Sequence, residues 1–267
     1  MNVETYYGMD MNPFRKDISI HKLYESNDYR QMTNRLDFLV RSKGIGLFIG
    51  SPGMGKTTCI RSLLDGLNTS RYKVVYICLT TITPLEFYRT LNDELGLEES
   101  HKKNVLFRQI QSELERLSKE HMEVVIVIDE VQFLSELVLK EFIMLFNFHY
   151  DSADYCTVIL TGQMEFIRKM RLRSLEPLKQ RININYTMTG FIEDEVGSYI
   201  KDRLKMVHCR EDLFAEETYH TLFTLMRGSL RVLNLLISRS LMIGMNRQAE
   251  QITSEIIKDA SEETSIE

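Results

Sequence analysis

The chain has 267 residues, 43% of them hydrophobic and 27% charged, with a formal net charge of −5 at neutral pH. That balance describes an ordinary folded protein rather than a disordered one. It gives no overall cationic field for nucleic acid, so any such contact has to come from a local surface or from stacked subunits. No apolar run approaches the roughly 18 residues that a membrane span needs. The opening Met-Asn-Val-Glu-Thr-Tyr-Tyr lacks the basic start and apolar core of a secretory signal, so a cytoplasmic location away from membranes is expected. Cys59, Cys78, Cys156 and Cys209 lie far apart with no Cys-x-x-Cys pair, which fits a reducing compartment and excludes an obvious zinc or disulfide framework. Cys78 and Cys156, in or beside apolar stretches, read as small core residues. The length suits one large domain plus a smaller one.

In chain order, the segment Tyr6-Tyr7-Gly8-Met9-Asp10-Met11-Asn12-Pro13-Phe14 is aromatic and turn-rich, and Pro13 argues against a helix there. From Asn27 to Val40, Tyr29, Met32, Leu36 and Leu39 recur at helical spacing. Ile45 to Ile49 is a short apolar run that predicts a buried strand, and Lys56 opens an amphipathic helix ending near Leu67. Between them lies Gly50-Ser51-Pro52-Gly53-Met54-Gly55-Lys56-Thr57-Thr58, which satisfies the phosphate-binding P-loop pattern in the strand–turn–helix context that it requires. Glycines at 50, 53 and 55 let backbone N–H groups and the helix N-terminus face a polyphosphate. Lys56 would reach the β- and γ-phosphates of ATP, and the Thr57 hydroxyl would ligate Mg2+. The N-terminal aromatics then have two readings: an arm packed across the domain, or Phe14 or Tyr24 lying over the adenine.

Lys73 to Leu79 predicts a second buried strand. Thr83-Pro84-Leu85-Glu86 forms a capping box with proline at the first helical position, and Gly96 terminates that helix after Leu95. A longer helix places Leu106, Ile110, Leu114 and Leu117 on one face. Val124 to Ile128 reads as a central parallel strand with Asp129 and Glu130 at its C-terminal end, where open α/β sheets place ligands. Downstream of a P-loop, Asp129 would hold the magnesium shell and Glu130 would orient and deprotonate the attacking water. Ser135 caps a helix carrying Leu139, Phe142, Ile143 and Phe146. Thr157 to Leu160 is the next strand, ending in Thr161-Gly162-Gln163; Thr161 and Gln163 are candidates to sense the γ-phosphate, against an ordinary turn.

Arg168, Lys169, Arg171, Arg173, Lys179 and Arg181 then crowd into fourteen residues with Glu176 opposing them. A solvated face, a surface for DNA phosphates, and an arginine supplied in trans to a neighbour's nucleotide all fit; for the last, Arg181, just before the last strand Ile182 to Tyr186, is best placed. After Gly190 no strand is expected, and helices are predicted over Glu193 to Met206, Ala215 to Met226 and Ser229 to Met245, with a polar frayed tail from Ser261. Arg231, at the entry to the third of these, is a candidate contact to the γ-phosphate. The expected organisation is an α/β nucleotide-binding domain with its arm over 1–190 and a helical lid over 191–267.

P-loop, Asp-Glu strand, polar strand end, pre-strand arginine and lid arginine stand in the order used by AAA+ ATPases. More narrowly, the chain resembles the ExeA-type branch, which includes transposon-encoded ATPases related to TniB and TnsC. The resemblance rests on Tyr7-Gly8-Met9 with Asn12-Pro13-Phe14, Gly50 to Thr58, Ile128-Asp129-Glu130-Val131-Gln132 and Ile159-Leu160-Thr161-Gly162-Gln163. It continues in Pro177-Leu178-Lys179-Gln180-Arg181-Ile182 and Gly228-Ser229-Leu230-Arg231-Val232-Leu233-Asn234. Leu230 replaces a proline common in the family, which loosens the approach to Arg231 without removing it, and Val131 stands where alanine is frequent. The resemblance implies a P-loop NTPase fold with a helical lid, an ATP- and Mg2+-dependent hydrolase, and ATP-dependent homo-oligomers as a ring or a spiral. The short form implies assembly on double-stranded DNA with weak sequence specificity, and regulation of the transposase of the same element in DNA transposition and recombination. Thr80, Thr81, Lys102 and Lys103 would line the DNA channel, or be plain loop and helix-start residues. The alternatives are an ATP-driven switch in secretion or envelope assembly and an initiator or helicase loader.

Overall fold

A computed structural model describes residues 2–15, 23–78, 81–148 and 154–263. The chain begins with a five-residue helix α1 (Val3–Tyr7), capped by the Asn2 side chain and stopped by Gly8 in the left-handed region at φ 68°. Pro13 acts only beyond it, so the expectation of a helix-free arm is corrected over Tyr6 and Tyr7. Helix α2 (Asn27–Ser42) leads to strand β1 (Gly44–Ile49), and helix α3 (Lys56–Gly66) follows the P-loop. Strand β2 (Tyr72–Ile77), helices α4 (Pro84–Glu94) and α5 (Lys103–Lys119), strand β3 (Glu123–Ile128) and helix α6 (Glu136–Leu145) come next. Strand β4 (Cys156–Gly162), short helices α7 (Met164–Lys169) and α8 (Glu176–Arg181) and strand β5 (Ile182–Thr187) complete the α/β part. Four helices follow among the described residues: α9 (Glu193–Met206), α10 (Glu217–Met226), α11 (Leu230–Asn246) and α12 (Ser254–Glu262).

All five strands are parallel, in the order β2-β3-β4-β1-β5. The three central strands are apolar because helices cover both faces, leaving no solvent side to alternate toward; every residue of β1 and β4 is buried. Gly46 is glycine because a Cβ there would collide with Leu39 and Phe48, so α2 can lie close on the sheet. Strand ends differ from expectation by a residue or two. β4 runs through Thr161 and Gly162, which makes Thr161 part of a buried strand rather than of a turn. Leu79, at the expected end of β2, and the tail from 264 lie outside the described residues. Cys156 is buried, but Cys78, just past the end of β2, is exposed and is not a core residue.

Two compact units result, each with its own apolar core. One comprises Gln31–Gly50 and Lys56–Met188, the sheet and the helices from the body of α2 to α8. Its core joins Ile126 and Ile128 of β3 to Phe87, Leu91, Leu106, Ile110, Phe142 and their neighbours. The other comprises Met1–Arg30, Ser51–Gly55 and Thr189–Glu267. The N-terminal arm, expected with the α/β domain, groups instead with the C-terminal helices. Met9 and Phe14 are buried there, and Phe14 and Tyr24 both stack edgewise on Tyr199, 6.2 and 5.5 Å between ring centres. These rings are spent on packing. The unit also contains α12, absent from the sequence reading, whose Ile256, Ile257 and Ala260 are buried.

Candidate functional site

The C-terminal ends of β1, β3 and β4 carry the polar residues that the motifs single out. After β1 the chain turns at Gly50, whose N–H donates to the Gly162 carbonyl (3.2 Å), and Gly53 and Gly55 take φ values of 81° and 101° that only glycine adopts without strain. Lys56, 7% exposed at the start of α3, donates its ammonium to the Gly50 carbonyl at 2.7 Å. Thr57 is exposed, and its hydroxyl donates to Asp129 Oδ2 at 3.3 Å. Thr58 is half-buried one position on.

Asp129 is 8% exposed and accepts from four groups. Oδ1 receives the Thr161 hydroxyl and the Glu130 N–H; Oδ2 receives Thr57 and, at 2.9 Å, the phenol of Tyr76 on β2. Burial, and then the hydrogen bond to Asp129, push the Tyr76 pKa upward, so this phenol stays a donor. Thr161 is fully buried with its hydroxyl committed to Asp129, whereas Gln163 is half-buried beside Glu130.

Glu130 has φ 54° and ψ 43°, a left-handed conformation rare for a residue with a side chain. Its Oε2 accepts from the amides of Gln132 and Gln163, the latter at 3.2 Å. The Gln132 amide oxygen in turn accepts the Gln163 N–H at 3.1 Å. Gly162 is glycine because a Cβ would press on Gln132 Oε1 and Val131. Lys169 pins the carbonyls of Gln132 and Leu134 at 2.6 Å each, and partial burial lowers its pKa. Tyr76 stands in no motif, and Gln132 closes the Asp-Glu segment without a chemical role that the sequence alone assigns.

A carboxylate and a hydroxyl side by side are hard oxygen donors of the kind that Mg2+ takes, with phosphate and water filling its other positions. The donor set therefore fits the ion. Among the described residues no cluster of three or more His, Cys, Asp or Glu offers an all-protein metal cage.

The remaining candidates have contacts of their own. Arg181, half-buried, donates to the Ile143 carbonyl at 2.8 Å, capping the end of α6. Arg168, Arg171, Arg173 and Lys179 are exposed. Lys102 and Thr81 are exposed, Lys103 pairs with Glu141 at 2.7 Å, and Thr80 lies outside the described residues. In the other unit, Ser229 caps α11, and the Arg231 N–H donates to the Gly53 carbonyl at 3.3 Å while its side chain is exposed. A Cβ on Gly53 would meet Ser229 Oγ and Arg231 Cβ, so this glycine serves both the turn and the approach of α11.

Comparison with known proteins bears on the family and the fold. A family model described as an AAA domain matches residues 40–170. The chain is 28% identical over 263 residues to general secretion pathway protein A of Aeromonas hydrophila, covering 97% of this chain and 48% of that one. It thus spans about half the length of that curated relative. Among solved structures, Cdc6p of Pyrobaculum aerophilum superposes with a TM-score of 0.71 at 16% identity, covering 95% of this chain and 71% of the other. The Aeropyrum pernix ORC1 protein in complex with DNA gives 0.64 at 15%, covering 94% and 68%. The Thermotoga maritima RuvB Holliday junction branch migration motor gives 0.55 at 16%, covering 96% and 74%. At these identities the likeness shows the fold, which is that of AAA P-loop NTPases. The match to the AAA-domain model supports an ATP-hydrolysing enzyme.

Proposed function

We propose that this chain is an AAA-domain P-loop ATPase that hydrolyses magnesium-ATP to switch its hold on double-stranded DNA, as the target-selecting and regulatory partner of a transposase. The observation that carries the hydrolytic part is the convergence of Thr57, Asp129, Glu130 and Gln163 at the ends of adjacent parallel strands and α3. Backbone N–H groups from Gly50 to Thr58 cradle the phosphates, and Lys56 exchanges its Gly50 carbonyl for phosphate oxygens. Thr57 and Asp129 hold the magnesium ion, which when bound supplies positive charge against the phosphates. Glu130 orients and deprotonates the attacking water, with Gln163 and Gln132 fixing its carboxylate. Thr161 holds Asp129 in place. Arg231, seated on Gly53, reads the occupied P-loop, and an arginine among Arg168, Arg171, Arg173 and Arg181 completes a neighbour's site in a homo-oligomer.

The DNA part is supported by the exposed arginines of α7 and the turn after it and by fold neighbours described as bound to DNA. Backbone contact of this kind is salt-dependent and nearly sequence-blind. One observation favours a second reading, an ATP-driven switch in secretion: the match to general secretion pathway protein A over 97% of this chain. Fluorescence anisotropy with duplex DNA, with and without ATP, separates them. ATP-dependent binding that weakens steeply with salt supports the first; ATP turnover with no DNA binding at low salt supports the second. An initiator role shares the DNA result and is separated by whether strand transfer by a transposase is stimulated.

A further inference from the structure

The Asp129 carboxylate is held unequally on its two oxygens. Oδ1 is fixed from within β3 and β4, by the Glu130 N–H and by the buried Thr161 hydroxyl. Oδ2, the oxygen that faces Thr57, receives the Thr57 hydroxyl at 3.3 Å and the Tyr76 phenol at 2.9 Å. Thr57 is exposed, and in the nucleotide reading above its oxygen is committed to the ion. The phenol is then the donor on Oδ2 that owes nothing to the ion. β2 is well placed to supply it: Tyr76 pairs with Val127, Ile77 pairs with Ile128, and the Asp129 N–H donates to the Ile77 carbonyl at 3.0 Å. Backbone and side chain of this edge strand therefore both grip the acidic turn. The residues on either side, Val75 and Ile77, point into the apolar core, and the alternation of the strand leaves Tyr76 to face the other way.

We infer that Tyr76 is a positioning residue for magnesium, holding Asp129 Oδ2 toward the ion that Thr57 and the nucleotide share. This rests on the nucleotide reading of the site. Outer-shell donors to metal-binding carboxylates typically contribute about ten- to a hundredfold in metal affinity.

The test is a magnesium titration of the binding of a fluorescent ATP analogue to wild type, Tyr76→Phe and Tyr88→Phe, with the nucleotide affinity also measured in EDTA. Tyr88 is a matched control: it is buried in the same unit and its phenol donates to Glu141 at 3.0 Å. Tyr76→Phe is expected to raise the magnesium half-saturation point about tenfold while leaving the EDTA affinity unchanged, with Tyr88→Phe like wild type. A wild-type half-point in Tyr76→Phe overturns the inference, as does an equal loss of affinity with and without magnesium. A wild type with no magnesium dependence at all overturns the nucleotide reading itself, an outcome visible before either variant is compared.

Discussion

Glu130 combines a backbone conformation that costs of order 1–3 kcal/mol with a carboxylate held by two amides. Strain of this size persists only where the surroundings impose it, and here the turn is imposed by Lys169 on the carbonyls of Gln132 and Leu134. Glu130→Gln keeps the shape of the turn and removes the base. It is expected to retain ATP while single-turnover hydrolysis falls about 10²–10⁴-fold; hydrolysis at the wild-type rate would take Glu130 out of that role. Asp28 serves the other unit. It is 4% exposed and accepts the N–H groups of Thr189 and Gly190 at 2.7 Å each. Gly190, at φ 86°, lies so close to the backbone of Gly228 that no Cβ fits. Asp28→Ala leaves two N–H groups without their acceptor, and a loss of roughly 2–4 kcal/mol in urea denaturation is expected. A loss below about 0.5 kcal/mol would mean that water replaces the carboxylate at no cost.

At the scale of elements, most of the fold was legible because its causes are local. The capping box before α4 is present with both of its hydrogen bonds, and the apolar face of α5 is buried as spaced. Thr83→Ala is expected to cost about 1 kcal/mol while leaving ATP turnover unchanged, because the hydrogen bonds of the cap run between Thr83 and Glu86. Altered turnover would tie α4 to the site. What was illegible had non-local causes. α12 has few apolar residues, and its amphipathic face has meaning only against α10 and α11. α1 is one short capped turn, too brief for periodicity to register. In the site, Lys56, Asp129 and Glu130 were readable from motifs. The commitment of Thr161 to Asp129, and the parts of Tyr76 and Gln132, depend on which strands neighbour β3, which the sequence does not spell out.

For the whole molecule, the chain forms two separately cored units, and the proposed contact with another subunit or with DNA falls to its exposed arginines. If Arg181 acts in trans, Arg181→Ala binds ATP but does not turn it over, and mixing it with Lys56→Ala, which keeps Arg181 and cannot hold ATP, restores turnover. No restoration would assign Arg181 to its own subunit, where it already caps α6 through the Ile143 carbonyl. The proposed function requires one local event, the binding of a triphosphate and its ion by Lys56, Thr57 and Asp129. Calorimetric titration of ATP into the purified chain tests this most directly. Saturable binding that strengthens with magnesium and is abolished in Lys56→Ala is the expected result; binding indifferent to both magnesium and Lys56 would contradict the account.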